Sequence, residues 1–531
     1  MRTSFSTRDT LDCNTRAMTT PPTAQPTVTR RELYTVFAGL MLALTLASLD
    51  QNIVNTALPR IVSDLGGLAH LSWVVTAFMV TSTTSTPLYG KLSDMYGRKP
   101  LYFTAIIIFL IGSALCGLAE SMFQLILFRA VQGLGAGGLI TLAQTTMGDL
   151  IAPRERGRYQ GLFGAVFASC SVAGPLLGGF ITEYLSWRWI FYVNIPVGAA
   201  AIFLIGLGLK HHCKVVTHSV DYTGAVLLTA GTVCLLLLLS WGGSVYPWLS
   251  PVILGLVAAT ALFYGLLVRQ EHHAGEPILP PRLFHNVVFR VAVSVIGLNA
   301  MALFGSLVFV PLFFQVVLGK SPSTAGLLLA PMMGGVIVAS VTGGRLIHRF
   351  GRYKIFPVIG LIFSVASFLI LAWCAFHDGS SIWLMETALV FLGGGLGLVM
   401  PNLTVAIQNS VERGDLGSAT SVSGFVRSLG GALGVAFSGA VVGILLRLSL
   451  PAEWLHATTP SGKSLLEAGV QEIAAIPPAQ HAVLIDAYRH AIAATFLTGA
   501  GLAALAFIIV LFLPERPLHS GTAGESPLQT D

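Results

Sequence analysis

The sequence predicts an all-α membrane protein of about fourteen transmembrane helices, arranged as two six-helix bundles with two further helices inserted between them. Three observations carry this expectation. The charges are too few to coat a water-facing surface. Apolar stretches long enough to cross a bilayer follow one another along the chain. One charged, glycine-bearing run occurs twice, eight such stretches apart.

Charged residues make up 10% of the 531 residues and hydrophobic ones 54%, where a soluble domain carries about 25% charged residues. Crossing the hydrocarbon layer takes about 20 apolar residues in a helix. In order, such stretches fall near 33–55, 71–91, 100–119, 122–147, 158–183, 189–209, 221–241, 250–268, 288–316, 324–346, 354–376, 382–408, 418–446 and 491–513. The Arg- and Pro/Thr-bearing residues 1–32 read as a disordered cytoplasmic tail, with Met1 or Met18 as the start and no cleaved signal peptide. Residues 33–210 are then an N-terminal six-helix bundle and 211–280 the inserted pair with its flanking loops. Residues 281–515 are a C-terminal six-helix bundle with an outer loop at 447–490, and 516–531 a second cytoplasmic tail. The six cysteines are scattered, with no C-x-x-C pair, so neither a disulfide framework nor a zinc site is expected.

Lysines and arginines set the direction, because positively charged short loops stay in the cytoplasm. With the N-terminus inside, 22 of the 30 fall on inner segments and 6 on outer ones, Arg129 and Arg427 lying within spans. Both termini are therefore expected in the cytoplasm. The basic balance is read as loops facing an anionic membrane surface, not as a nucleic-acid site.

The repeated run is "GKLSDMYGRK" at 90–99 and "GRLIHRFGRYK" at 344–354. It follows the second span and then the tenth. The even offset preserves orientation, as in parallel repeats. Two duplicated six-helix halves give an offset of six, so two spans, the seventh and eighth, are inserted.

These residues, with "LDQNIVNTALP" (49–59), "RAVQGLGAGG" (129–138), "GPLLGG" (174–179), "WRWIFYVNIPVG" (187–198), "VDYTGAVLL" (220–228) and "LSWGG" (239–243), resemble the major facilitator superfamily. The likeness is to its fourteen-span branch of drug/proton antiporters, the multidrug efflux pumps, and covers about 36 to 515. The chain departs from that branch at Asn52, where Thr is usual, and at Ala168, where Gly is usual. His348 takes the place of the acid in the second copy of the run.

Asp50 is the one carboxylate well inside the first span. An intramembrane acid needs a partner, water or a proton. It reads as the proton-coupling carboxylate, or alternatively as a polar group fixing helix packing. Arg129 cannot shed its proton when buried, so it is paired or hydrated; the resemblance implies an influence on proton transfer, the alternative being a structural pair. Gln132 lies one turn on. Gly174, Pro175, Gly178 and Gly179 make a kinked, tightly crossing seam in the fifth span, and the resemblance assigns such a motif to exporters. "GLGAGG" also satisfies a dinucleotide fingerprint, but no strand precedes it, and its glycines serve helix contact.

Asp94 ends the second span. The resemblance implies that Asp94 closes a cytoplasmic latch between halves, and the N-terminus of the thirteenth span, near Asp415, Gly417 and Ser418, is the candidate partner. Gly90 and Gly97 belong to the same run. Gly97 permits the sharp turn, and Arg98 and Lys99 anchor to headgroups. Arg427, expected to pair across the bundle, and Glu386, near the outer mouth of the twelfth span, are a further polar site of the second half. Spans nine and ten carry no acid before Arg345, which tilts the substrate toward neutral, monocationic or acidic lipophilic molecules.

The function expected is proton-coupled efflux of small lipophilic or drug-like molecules across the cytoplasmic (inner) membrane. The proton gradient supplies the energy, and no cofactor, metal or catalytic residue is expected. "SGKS" at 461–464 lacks the P-loop glycine, Ala457 standing there. Partners are the substrate, protons, the lipid bilayer and, through the outer loop, a periplasmic adaptor protein. The rival readings are transport of one specific metabolite in either direction, and a non-transporting receptor or membrane enzyme.

Overall fold

The computed structural model describes residues 30–66, 70–209, 221–243, 245–377, 381–450 and 478–518. Among these, regular structure is helical, apart from one isolated bridge between Gly242 and Tyr246. The tail before residue 30, "SGKS", the adaptor-facing part of the outer loop (451–477) and residues 519–531 lie outside the described residues.

Fourteen long helices follow one another. They are α1 (Arg30–Leu65), α2 (Leu71–Tyr96), α3 (Arg98–Gly117), α4 (Met122–Leu150), α5 (Pro153–Tyr184), α6 (Asn194–Gly208), α7 (Tyr222–Trp241), α8 (Pro251–His273), α9 (Val287–Leu307), α10 (Ala330–Phe350), α11 (Ile355–Phe376), α12 (Ile382–Ser410), α13 (Leu416–Ser449) and α14 (Pro478–Leu511). Side-chain caps start several of them: Ser121, Asp221, Ser250 and Asn286 each accept a backbone N–H of the first turn. α2 and α10 each end at a glycine with positive φ, Gly97 at 90° and Gly351 at 69°. Only glycine turns there without strain, so both copies of the charged run are tight corners.

Thirteen helical segments among the described residues are long and apolar enough to cross a membrane, α6 counting together with the short helix Trp189–Tyr192 before it, and α2 is the exception. Its sequence "TSTTST" (81–86) lowers its hydropathy. Those hydroxyls are satisfied within the protein: Thr84 donates to the Val80 carbonyl at 3.0 Å, and Thr86 to Ser82 at 2.8 Å and to Gly137 of α4 at 3.2 Å. At 26 residues and 1.5 Å per residue, α2 is about 39 Å long, enough to span. It is a fourteenth span with a hydroxyl-bearing inner face.

α1 to α6 pack around Leu40, Leu44, Tyr102, Phe109 and Leu139, and α9 to α14 around Phe289, Val295, Phe314, Phe368 and Phe496. α7 and α8 pair with each other and rest on α2, with a small core of Leu228, Leu267 and Ile278 against Phe425 of α13. The halves meet through two related pairs, α2 with α13 and α5 with α10. Several boundaries differ from the sequence expectation: α1 runs on to Leu65 where the apolar stretch ends near 55, α5 begins at Pro153, and α10 begins only at Ala330. α1 already begins at Arg30. α14 begins at Pro478, because Leu484, Ala487 and Tyr488 bury into the C-terminal core and carry the helix outward from the apolar stretch at 491–513.

Candidate functional site: a buried ion pair and a gate between the halves

Asp50 lies in the middle of α1 with no solvent exposure, and Arg129 of α4 is 2% exposed. Arg129 Nη1 donates to Asp50 Oδ2 at 2.6 Å, while Asp50 Oδ1 accepts from Gln132 Nε2 and from Asn194 Nδ2, both at 2.9 Å. Arg129 also donates to Gln132 Oε1 at 2.8 Å and lies 4.1 Å from the ring centre of Phe78. Asn194 is held in turn by Ser113 Oγ at 2.9 Å, which donates to the Phe191 carbonyl at 2.8 Å. Residues of α1, α2, α3, α4 and α6 thus converge on one carboxylate. A pair so thoroughly hydrogen-bonded tolerates burial, and removing one partner strands the other charge at a cost of about 3–5 kcal/mol. Asn194 and Ser113 were not singled out from sequence. The available signal was an asparagine inside the apolar run "FYVNIPVG".

The glycine–proline seam of α5 lies against α1 just past Asp50. A Cβ on Gly174 would come within 2.6 Å of Asn52 Cβ, and one on Gly178 within 2.7 Å of the Ile53 carbonyl. Pro175 sits between them inside the helix. Gly179 belongs to the same sequence motif but faces away, with nothing within 4 Å of its Cβ position.

At the end of the bundle that carries the charged runs, Asp94 of α2 reaches the N-terminus of α13. Its carboxylate accepts from Gly417 N at 2.9 Å, Ser418 N at 2.7 Å and Ser418 Oγ at 2.9 Å. These N–H groups have no partner within their own helix, and the helix dipole favours an anion there. Arg98 holds Asp94 at 2.7 Å and Asp149 of α4 at 2.7 Å, and it also donates to Ser93 Oγ. It therefore serves the ion network, where the sequence suggested a headgroup anchor. Lys99 donates to the Gly206 carbonyl at 2.9 Å. Gly90 lets the helices touch: a Cβ there would lie 2.0 Å from Ser421 Oγ.

The related seam uses backbone contact. A Cβ on Gly344 of α10 would lie 2.0 Å from the Gly157 carbonyl of α5, and Arg154 Nε donates to the His348 carbonyl at 3.3 Å. Arg156, counted from sequence only as a loop charge, is buried. It donates to the Ile151 carbonyl at 2.9 Å, to Gly148, and across the halves to Gln408 at 3.2 Å. A cation is thereby placed on the carbonyl ends of both α4 and α12. The strap between α8 and α9 ties into the same end, with Lys91–Glu276 at 2.8 Å and Arg282–Asp415 at 2.7 Å.

Arg427 and Glu386 do not form one site. Both α12 and α13 have an end at the gate. Arg427 is 11 residues up α13 from Leu416, about 17 Å, and Glu386 is 24 residues up α12 from Ser410, about 36 Å. Nor does Arg427 find the expected pair across the bundle: among the described residues it has no hydrogen-bond or ion-pair partner.

Two helical bundles joined in parallel register, with a buried ion pair in one and a hydrogen-bonded seam between them, have the architecture of a membrane carrier. Residues 40–435 match the family model described as Major Facilitator Superfamily, and the chain belongs to that superfamily. It is 40% identical over 407 residues to the multidrug transporter protein MdtP of Bacillus subtilis (strain 168), covering 77% of this chain and 75% of that one. It is 36% identical to Multidrug resistance protein 3 of the same organism, over 92% of this chain and 96% of that one. The proton:xylose symporter XylE has the same fold, with a TM-score of 0.61 at 14% identity over 92% of this chain and 98% of that one.

Proposed function

We propose that this protein exports lipophilic, drug-like molecules across the cytoplasmic membrane in exchange for protons, with both termini and the Asp94 gate on the cytoplasmic side. The relatives named as multidrug transporters support efflux. The observation that carries the coupling is the Asp50–Arg129 pair, at 2.6 Å, beside the Gly174/Gly178 contact of α5 on α1.

Protonating Asp50 removes the charge that holds Arg129, Gln132 and Asn194 together. The freed guanidinium then needs another partner or water. Such a change reaches α5 directly, because Gly174 rests on Asn52, two residues beyond Asp50. α5 runs on to Gly157, where it touches Gly344 of the other half. A proton arriving from outside at Asp50 would thus loosen one end of the helix whose other end forms the cytoplasmic seam.

The test is dye uptake into everted vesicles under an imposed pH gradient. Asp50→Asn should abolish gradient-driven movement while the protein still reaches the membrane. Movement that persists in this variant would overturn the assignment.

A further inference from the structure

Arg427 is a cation that the established parts of the machine leave over. It lies at about mid-depth of α13, half-buried, and among the described residues it has no partner. Arginine carries five donors and does not deprotonate, so at this depth something must answer it.

Its surroundings show which side it faces. Thr420, Gly424 and Gly431 share its side of α13 by helical spacing. Thr420 accepts from Gln408 of α12 at 3.3 Å, and Gly424 looks across at Thr86 and Thr141 of the other half, 3.7 and 3.8 Å from its Cβ position. Gly431, one turn further from the gate, meets the ring of Phe304 on α9, which is 36% exposed. That side of α13 therefore borders the space between the halves, with hydroxyls toward the gate and an aromatic ring beyond.

Among the described residues, no acid pairs with it. Asp50 already accepts three hydrogen bonds. Asp94 and Asp149 are held by Arg98. On α9 to α14 the acids are Glu386, near the far end of α12, and Asp486, which pairs with His490 at 3.4 Å. Among the described residues, the path between the halves thus carries at Arg427 a positive charge with no partner, beside an exposed aromatic ring.

We infer that Arg427 binds the anionic group of the transported molecule, so that the cargo includes lipophilic organic monoanions whose aromatic body packs on Phe304. This rests on the export reading above and narrows its substrate class. A carboxylate or sulfonate matches the planar fork of donors, while a lipophilic cation meets repulsion.

The test uses purified protein in proteoliposomes with two probes, an anilinonaphthalene sulfonate dye and a lipophilic phosphonium. Binding and gradient-driven transport of each are measured for the parent, Arg427→Lys and Arg427→Gln. The parent should bind and move the sulfonate. Arg427→Gln should weaken sulfonate binding by about tenfold or more, the usual range for a lost hydrogen bond to a charged group. Arg427→Lys should restore part of it, and the phosphonium should not weaken in either variant.

Equal loss of both probes in a variant that still folds, judged by size-exclusion profile and melting temperature, would make Arg427 structural and overturn the proposal. Transport of the phosphonium but not the sulfonate by the parent would overturn it while leaving export standing. Transport of neither probe, with no sulfonate binding, would remove the export reading and this one together; sulfonate binding lost in Arg427→Gln without transport would keep the site and refute only export.

Discussion

Replacing Asp94 with Asn should open the gate, and the structure gives the size of the effect. The Asp94 side chain is 5% exposed and accepts three hydrogen bonds from the first residues of α13. Asparagine keeps one acceptor oxygen but turns an NH2 toward N–H donors that have no other partner. The two contacts made through Ser418, or the one through Gly417, must fail, and the charge facing the helix dipole is gone. Hydrogen bonds to charged groups contribute about 1.5–3 kcal/mol each. Losing two at the low end shifts the closed-to-open ratio by about 3 kcal/mol, roughly a hundredfold at 1.4 kcal/mol per tenfold. Spin labels at Tyr96, 53% exposed at the end of α2, and at Glu412, exposed beside the start of α13, would report the separation by pulsed EPR in liposomes. The parent should give a short distance and Asp94→Asn a predominant longer one. An unchanged distance distribution in a folded variant would refute the claim that this carboxylate holds the halves together.

Gly178→Ala should lower the melting temperature by several degrees and impair transport, since its Cβ meets the Ile53 carbonyl at 2.7 Å, whereas Gly179→Ala, in open space, should change neither; thermal-shift and dye-extrusion assays separate the two. Gly344→Ala should prevent closure of the α5–α10 seam, because the methyl would sit 2.0 Å from a backbone oxygen; cross-linking yield between engineered cysteines across that seam should fall sharply. Lys91→Ala removes an ion pair whose members are 12% and 28% exposed and should cost less than about 1 kcal/mol. Its small effect on the same EPR distance should vanish in high salt.

The outline of this fold was legible because hydrocarbon is a strict solvent. Length and apolarity alone marked fourteen stretches, and the repeat of Gly90 and Gly344 supplied the register. α2 was legible despite its hydroxyls, because Thr84 and Thr86 bond back to their own helix and raise no unpaired group. Asp50 and Arg129 stood out as charges in apolar text, but text does not show that they touch, 79 residues apart. Ser113 was invisible and Asn194 only an asparagine in an apolar run for a related reason: a neutral polar residue in a span acquires meaning only from what it meets. Arg156 looked like a loop charge because its partners are backbone carbonyls, which every residue has. For Arg427 the sequence suggested a partner across the bundle, and among the described residues none lies there.

The two seams between the halves are built of different materials. The α2–α13 seam is fastened by a carboxylate on a helix terminus, flanked by Lys91–Glu276 and Arg282–Asp415. The α5–α10 seam is bare backbone against bare backbone at Gly157 and Gly344. The flanking ion pair Lys91–Glu276 of the first is partly exposed and open to screening by salt, whereas the Gly157/Gly344 contact of the second carries no charge. A molecule wedged at the Asp94 seam would therefore meet charge and helix-end donors, and one wedged at the Gly157/Gly344 seam would meet close-packed backbone.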